Sequence, residues 1–257
     1  MNPESAKHDD EIDVDVSGLI TEDDTPVDNL YSEKQQRLLV GVLHASWRPP
    51  RVDPDLPRPF VAFANVGLFD RPRNDALVPD VLVSLDAELP DDVWEKRHRS
   101  YFIWEYGKVP DVVVEVVSNR VGDELSRKRS RYARMRIPHY VVWDPDAQLG
   151  ERQLHVFRLE GDVYRVIPVK DGTPCQLTGA HLGLGLWTGP FEDREDKWLR
   201  WFDANGALLP TSDELARAAE ARADAAESQL AALRARQQEL ETLVARLKSA
   251  EAAKPEG

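Results

Sequence analysis

Two carboxylates in this chain stand where stability alone would not put them. The run Val78–Leu85 sets Asp80 directly after Pro79 at the head of an apolar stretch. The run Pro110–Ser118 repeats the Pro-Asp pair and then places Glu115 among five valines. Side chains alternate along a strand, so Asp111, Val113, Glu115 and Val117 share one face. A carboxylate inside a buried valine run is costly unless it is paired or bound to a metal. An ion pair to a core Lys or Arg would explain Glu115, and so would a cation. Thirteen residues on comes Lys128, and Glu124, Lys128 and Tyr132 follow one another at helical spacing on one face. Asp80 and Glu115 on adjacent strands, with the Lys128 ammonium leaning over them, form a constellation for Mg²⁺-assisted attack on a phosphodiester, with Mn²⁺ as the substitute ion. Hard oxygen ligands hold such an ion, and an ammonium positions the attacking water or stabilises the charge that develops.

These residues need strands on either side of a helix, and the pattern supplies them. Apolar, β-rich runs fall at Phe60–Leu68, Val78–Leu85, Val109–Val117 and Tyr140–Trp143. The last two flank a helical stretch, Asp123–Met135, at the spacing of a crossover between parallel strands. A helix is expected near residues 30–46, closed by Pro49-Pro50, and the five prolines of 48–59 make a loop. Gln153–Leu159 and Val163–Pro168 read as a hairpin about Glu160-Gly161-Asp162. Gly179–Gly185 lacks the Lys-Ser/Thr of a phosphate loop and reads as a turn. The seven tryptophans are expected in packing roles, with Trp104 and Tyr106 as candidates for a substrate groove, and His139 is structural or on the surface. The body is α/β. From Ala216 to Leu247, small and apolar residues recur at alternating spacings of three and four, interrupted by Gln237, after a helix cap at Ser212 or Asp213. A lone helix would leave that seam wet, so pairing with a second copy through 213–250 is expected; a helix folded back on the body is the alternative.

Charge is distributed unevenly. The 257 residues carry a formal −13, but residues 1–33 alone carry −10, leaving −3 for the other 224. Residues 1–27 have no aromatic and read as a disordered acidic arm, which could mimic DNA and shield a site. Against this, 119–136 carries +5. Arg127, Arg129 and Arg131 on that stretch are candidate phosphate contacts, although a solvated helix face has the same composition. A single cysteine, Cys175, excludes an internal disulfide and a multi-cysteine zinc site and suits the cytoplasm. No apolar run is long enough to span a membrane, and the acidic start does not read as a secretory signal.

The runs VPDVLVSLD, PDVVVEVVS, RKRSRYARMRIPHYVVWDP and LRWFDANGALLP together resemble the bacterial putative restriction endonuclease (Uma-type) family of the PD-(D/E)xK nuclease superfamily. The similarity spans roughly residues 30–210, and the helical tail also looks like that of many members. The resemblance implies a restriction-endonuclease-like mixed sheet flanked by helices, and a Mg²⁺-dependent DNA endonuclease. It implies Asp80 and Glu115 as the motif acids and the carbonyl of Val116 as a third oxygen ligand. Two residues after Glu115, where the superfamily usually has Lys, stands Val117. By the resemblance, the family moves that Lys to the next helix, where it matches Lys128; the acid four residues earlier matches Glu124. By fold analogy Glu33 on the first helix would be a further carboxylate near the metal. The expected organisation is an acidic arm at 1–27, a nuclease-like domain at 28–210 and a coiled-coil helix and tail at 211–257. The rival expectation keeps the fold without catalysis, as a DNA-binding or assembly module.

Overall fold

The computed structural model of the chain describes residues 29–71, 76–94, 98–118, 123–170 and 172–252, with side chains as far as 246. The arm expected at 1–27 lies outside the described residues.

The first helix, α1 (Leu30–Ser46), begins where Asn29 caps it by accepting the Ser32 N–H at 2.8 Å. Leu38, Leu39, Val42 and Leu43 form its buried stripe. The first apolar run does not make one strand. It gives β1 (Phe60–Ala64) and β2 (Leu68–Phe69), because Asn65 adopts a left-handed φ of 52° between them. Asn tolerates that conformation better than most residues. The other runs give β3 (Val81–Leu85), β5 (Val112–Val116) and β6 (His139–Trp143), each buried along its whole length. Between β3 and β5 lie β4 (Tyr101–Phe102), parallel to β2, and the one-turn helix α2 (Ile103–Tyr106). The hairpin forms as β7 (Leu154–Glu160) and β8 (Val163–Ile167), turning at Gly161 with φ 61°.

The main sheet has the order β1-β3-β5-β6-β7-β8. Only β5 and β6 run parallel, so the crossover expected between them is present. The crossover itself differs from expectation. It opens with five residues of π-helix, Glu124–Lys128, and becomes α3 (Arg129–Arg134). Asp123 starts it in a left-handed conformation, and its carbonyl accepts the Lys128 N–H five residues on, at 3.1 Å.

A second sheet was not legible as such: β9 (Cys175–Leu177), β10 (Leu182–Phe191) and β11 (Arg194–Asp203). Gly183 and Gly185 lie within β10, beside Gln176 and Phe202, so the glycine run is a turn only at its start. This sheet and α1 cover one face of the main sheet, with Trp198 and Trp201 in that core. The crossover, β2 and β4 cover the other face, around Tyr132 and Tyr140. Trp94 and Trp104 depart from the packing role expected of the tryptophans and are exposed. His139 is buried and structural, bonded through Nδ1 to the Asp111 carbonyl.

The last element, α4 (Ser212–Ala252), is 41 residues long. Its cap is Thr211 rather than Ser212 or Asp213: Thr211 Oγ1 accepts the Glu214 N–H and Glu214 Oε2 accepts the Thr211 N–H. That reciprocal pair ties off two backbone donors at once. Buried Arg200 grips Glu214 through both terminal nitrogens, at 2.8 and 3.3 Å, and fixes the helix root to β11. Beyond the root, residues 215–246 are exposed, so the helix does not fold back on the body. No helix among the described residues is long and apolar enough to cross a membrane.

Candidate functional site

The antiparallel register of β3 and β5 pairs Val81 with Val114, and carried on by one residue it sets Asp80 across from Glu115. Asp80 therefore stands at the end of the sheet where β3 begins and β5 finishes. Its Oδ2 accepts the Val116 N–H at 2.6 Å. The N–H and C=O of a strand residue point to the same neighbour, so the Val116 carbonyl is directed to the Asp80 side as well.

Glu115 is 2% exposed, and each of its oxygens has a donor. Lys128 Nζ lies 2.9 Å from Oε2, and the Tyr132 hydroxyl donates to Oε1 at 2.6 Å. Lys128 also bonds Glu124 Oε1 at 3.3 Å. The three crossover side chains that share a face in the sequence thus converge on the valine strand, with Lys128 as the salt-bridge partner of Glu115. Burial pushes the Glu115 carboxyl above its ordinary range, against the pull of Lys128 and Tyr132. Burial works against the charge on Lys128, but the Glu115 carboxylate outweighs it and holds the ammonium protonated beyond the ordinary lysine range. The field of Asp80 acts on Lys128 in the same direction. Burial and the neighbouring Glu115 also hold the Tyr132 hydroxyl far above its usual pKa, so it remains a donor.

Glu124 is 5% exposed, and its Oε2 is buried without a hydrogen-bond partner among the described residues. An unmatched buried oxygen of this kind is a site for a cation or a water. Among the described residues, no three His, Cys, Asp or Glu surround one point as a cage. Mg²⁺ does not require a cage, since it binds through one or two carboxylates and keeps several waters. Each carboxylate oxygen also has lone-pair capacity beyond one accepted hydrogen bond. An all-oxygen set of Asp80, Glu115 and the Val116 carbonyl, with an unmatched Glu124 oxygen nearby, fits a small hard cation.

Glu33 is not part of this site; it pairs with Arg37 at the surface. The residue of α1 that reaches Asp80 is Gln36, whose Nε2 donates to Asp80 Oδ1 at 2.7 Å. The Asn65 amide donates in turn to Gln36 Oε1 at 2.7 Å, which fixes which end of the Gln36 amide faces Asp80. The Asn65 N–H closes the ring on the Asp80 carbonyl at 3.2 Å. Gln36 and Asn65 were missed in the sequence, although a Gln-Gln pair just ahead of Leu38-Leu39 was a readable signal. Gln35 has a different job, exchanging two 2.9 Å hydrogen bonds with the backbone of Leu199.

Of the three candidate phosphate contacts, Arg127 is exposed and paired with Asp123, and Arg129 lies over the Phe157 ring at 5.4 Å. Arg131 is half-buried and engaged. Trp104 is exposed and packs on Phe102 at 4.9 Å, whereas Tyr106 stacks on buried Tyr101 at 4.1 Å. Asp111, the second Pro-Asp acid, serves the scaffold: its Oδ2 accepts the Leu85 N–H and the Lys108 ammonium.

The sequence model of one family, described as Uma2, putative restriction endonuclease, matches residues 8–187, well over half of the chain. No curated protein matches it.

Proposed function

This chain belongs to the Uma2 family of putative restriction endonucleases, and from that premise we propose that it is a Mg²⁺-dependent endonuclease hydrolysing phosphodiester bonds of DNA. One observation carries the reading: Lys128, supplied by the crossover rather than by the strand, places its ammonium 2.9 Å from the Glu115 carboxylate. That is the role the missing lysine at Val117 would have filled.

In this reading Asp80, Glu115 and the Val116 carbonyl hold the cation. Bound there, Mg²⁺ (or Mn²⁺) supplies Lewis acidity, lowering the pKa of the attacking water and drawing charge from the phosphate. The chain's own groups do the positioning. Gln36 and the Val116 N–H fix the two Asp80 oxygens, and Tyr132 fixes Glu115 Oε1. Lys128 remains an ammonium, so it orients the water and stabilises the anionic transition state rather than accepting the proton. The water oxygen bonds to phosphorus and gives its proton to solvent as the P–O3′ bond breaks, and the departing O3′ takes up a proton from solvent, leaving 5′-phosphate and 3′-hydroxyl ends. Arg127, Arg129 and Arg131, on the crossover, are the proposed phosphate contacts.

The rival reading is a DNA-binding or assembly module without catalysis, and one feature favours it. Glu115 already has a donor on each oxygen, as a purely structural ion pair would. Nicking of supercoiled plasmid at low salt with Mg²⁺, Mn²⁺ or EDTA separates the two. Metal-dependent cleavage lost in Asp80→Asn and Glu115→Gln supports the nuclease. Cleavage that survives both substitutions overturns the site. DNA binding without cleavage or metal uptake favours the module.

A further inference from the structure

The exposed helix carries information about its own partner. Counting the seam from Ala216 puts Leu230, Gln237 and Val244 at a positions and Leu233 and Leu240 at d positions. These leucines and the valine are about half exposed or more, with Leu233 at 66%. We propose that α4 pairs with α4 of a second copy of this chain as a parallel, in-register two-stranded coiled coil, which sets the two bodies side by side at one end.

The occupant follows from the seam, and the orientation follows from the residues beside it. In a parallel pair, each g side chain faces the e side chain five residues on in the other helix. Arg222 then faces Glu227 of the second copy, and Arg236 faces Glu241. The remaining e and g positions, Leu215 with Glu220, Gln229 with Arg234 and Leu243 with Lys248, bring no like charges together. Two attractive pairs on each side and no repulsive one is the charge pattern of a parallel self-association.

Gln237 gives the same answer independently. In register and parallel, it meets Gln237 of the second copy, and two amides can bond across the core. In the antiparallel overlap that matches the seam end to end, residue 237 falls opposite Ala226, leaving an amide against a methyl twice over. In the single chain the Gln237 amide donates to Glu241 Oε1 at 2.9 Å, so it already lies along this edge of the helix.

The root makes the pairing matter for the body. Arg200, Glu214 and Thr211 fix the start of α4 against β11. Forty-one residues of helix are about 60 Å long. Parallel pairing brings the two roots together, whereas antiparallel pairing holds the bodies roughly that length apart. On the nuclease reading, adjacent bodies offer two sites to the two strands of one duplex; the pairing itself does not depend on that reading.

The test uses the full chain. Sedimentation equilibrium should give a dimer. Oxidation of Gln237→Cys should cross-link it, since native Cys175 is buried and is the only other cysteine. A chain bearing Glu227→Arg and Glu241→Arg should dimerise at least roughly tenfold more weakly. So should a chain bearing Arg222→Glu and Arg236→Glu, while a mixture of the two should form the heterodimer. A monomer or trimer at tens of micromolar overturns the proposal. So does cross-linking that appears only when Ala226→Cys is combined with Gln237→Cys, the antiparallel signature. Two reversed chains that ignore one another would also overturn it. None of these readings involves cleavage, so the pairing and the nuclease can fail separately.

Discussion

The centre of the main sheet and the long helix hold opposite kinds of exposure. At the sheet, charge has been taken into the core, and Glu115 finds Lys128 and Tyr132 within the same chain. Along α4, apolar side chains have been left in solvent, and none of the described residues covers them. A buried charge has to be matched inside the fold, because an unmatched one is strongly destabilising. An apolar stripe on a helix can wait for a partner, because exposure costs it far less per residue. Function in the first region is therefore written in partners within the chain, and in the second in partners outside it.

Removing the acid is the harshest test of the first half of that contrast. Glu115→Gln keeps the shape and the Tyr132 hydrogen bond but loses the charge. It should reduce metal-dependent cleavage by on the order of 10²–10³-fold, read as initial rates of plasmid nicking. Stability should move the other way with pH. The Glu115 pKa is raised from 4.5 in the folded protein, so the folded state binds the proton more tightly than the unfolded chain does. Stability from this group is then present at low pH and is lost as pH rises from about 4.5 through the folded value. Wild type should lose ground to Glu115→Gln in urea unfolding from pH 4.5 upward. Wild type gaining ground over that range would show that the carboxylate is kept for stability rather than for chemistry.

Removing the cation tests the same pair from the other side. Lys128→Met strips the charged partner from a buried carboxylate and should cost about 3 kcal/mol near neutral pH, measured by urea unfolding. The same substitution in a Glu115→Gln background should cost less, because only the Glu124 carboxylate then loses its charged partner, rather than Glu115 and Glu124 together. Equal costs in both backgrounds would mean that the two side chains are not coupled.

How much of this was readable in the sequence follows the same divide. Asp80, Glu115 and Lys128 were legible because their types clash with their surroundings or repeat at fixed spacing. The parallel crossover was legible from strand, helix and strand lengths. The π-helical opening of that crossover was not, since it depends on the left-handed backbone at Asp123. Gln36 and Asn65 were missed because they lie 44 and 15 positions from Asp80, and only the packing of α1 on the sheet end brings them together. The β9–β11 sheet escaped because its strands carry glycine and charge, and only packing in one core with α1 and the main sheet buries their apolar side chains.

The amide relay gives a smaller and sharper prediction. Gln36→Leu should weaken Mn²⁺ binding, measured by calorimetry, about 10–100-fold, with the fold retained. Asn65 provides the control on orientation. Asn65→Asp tolerates the left-handed backbone but replaces the amide donor with an acceptor. Gln36 then turns its Nε2 to the new carboxylate and presents its oxygen to Asp80. Asn65→Asp should therefore bind the cation more weakly than Asn65→Gly, despite its added negative charge. Tighter binding in Asn65→Asp would mean that general electrostatics, and not the relay, governs this end of the sheet.

The smallest effect is expected where the most apolar surface is exposed. Leu233 is 66% exposed, so Leu233→Ala removes little that the single chain buries. The unfolding of the body should be unchanged within about 0.5 kcal/mol at dilute concentration. Melting of α4, followed by circular dichroism, should become strongly concentration-dependent in wild type and less so in the variant, because only pairing buries that side chain. If α4 melts identically in both proteins at every concentration, the seam has no partner and the exposed leucines are solvent-facing by design. If the helix signal rises with concentration and Leu233→Ala blunts the rise, the stability of α4 belongs to the assembly, while that of Glu115 belongs to the chain.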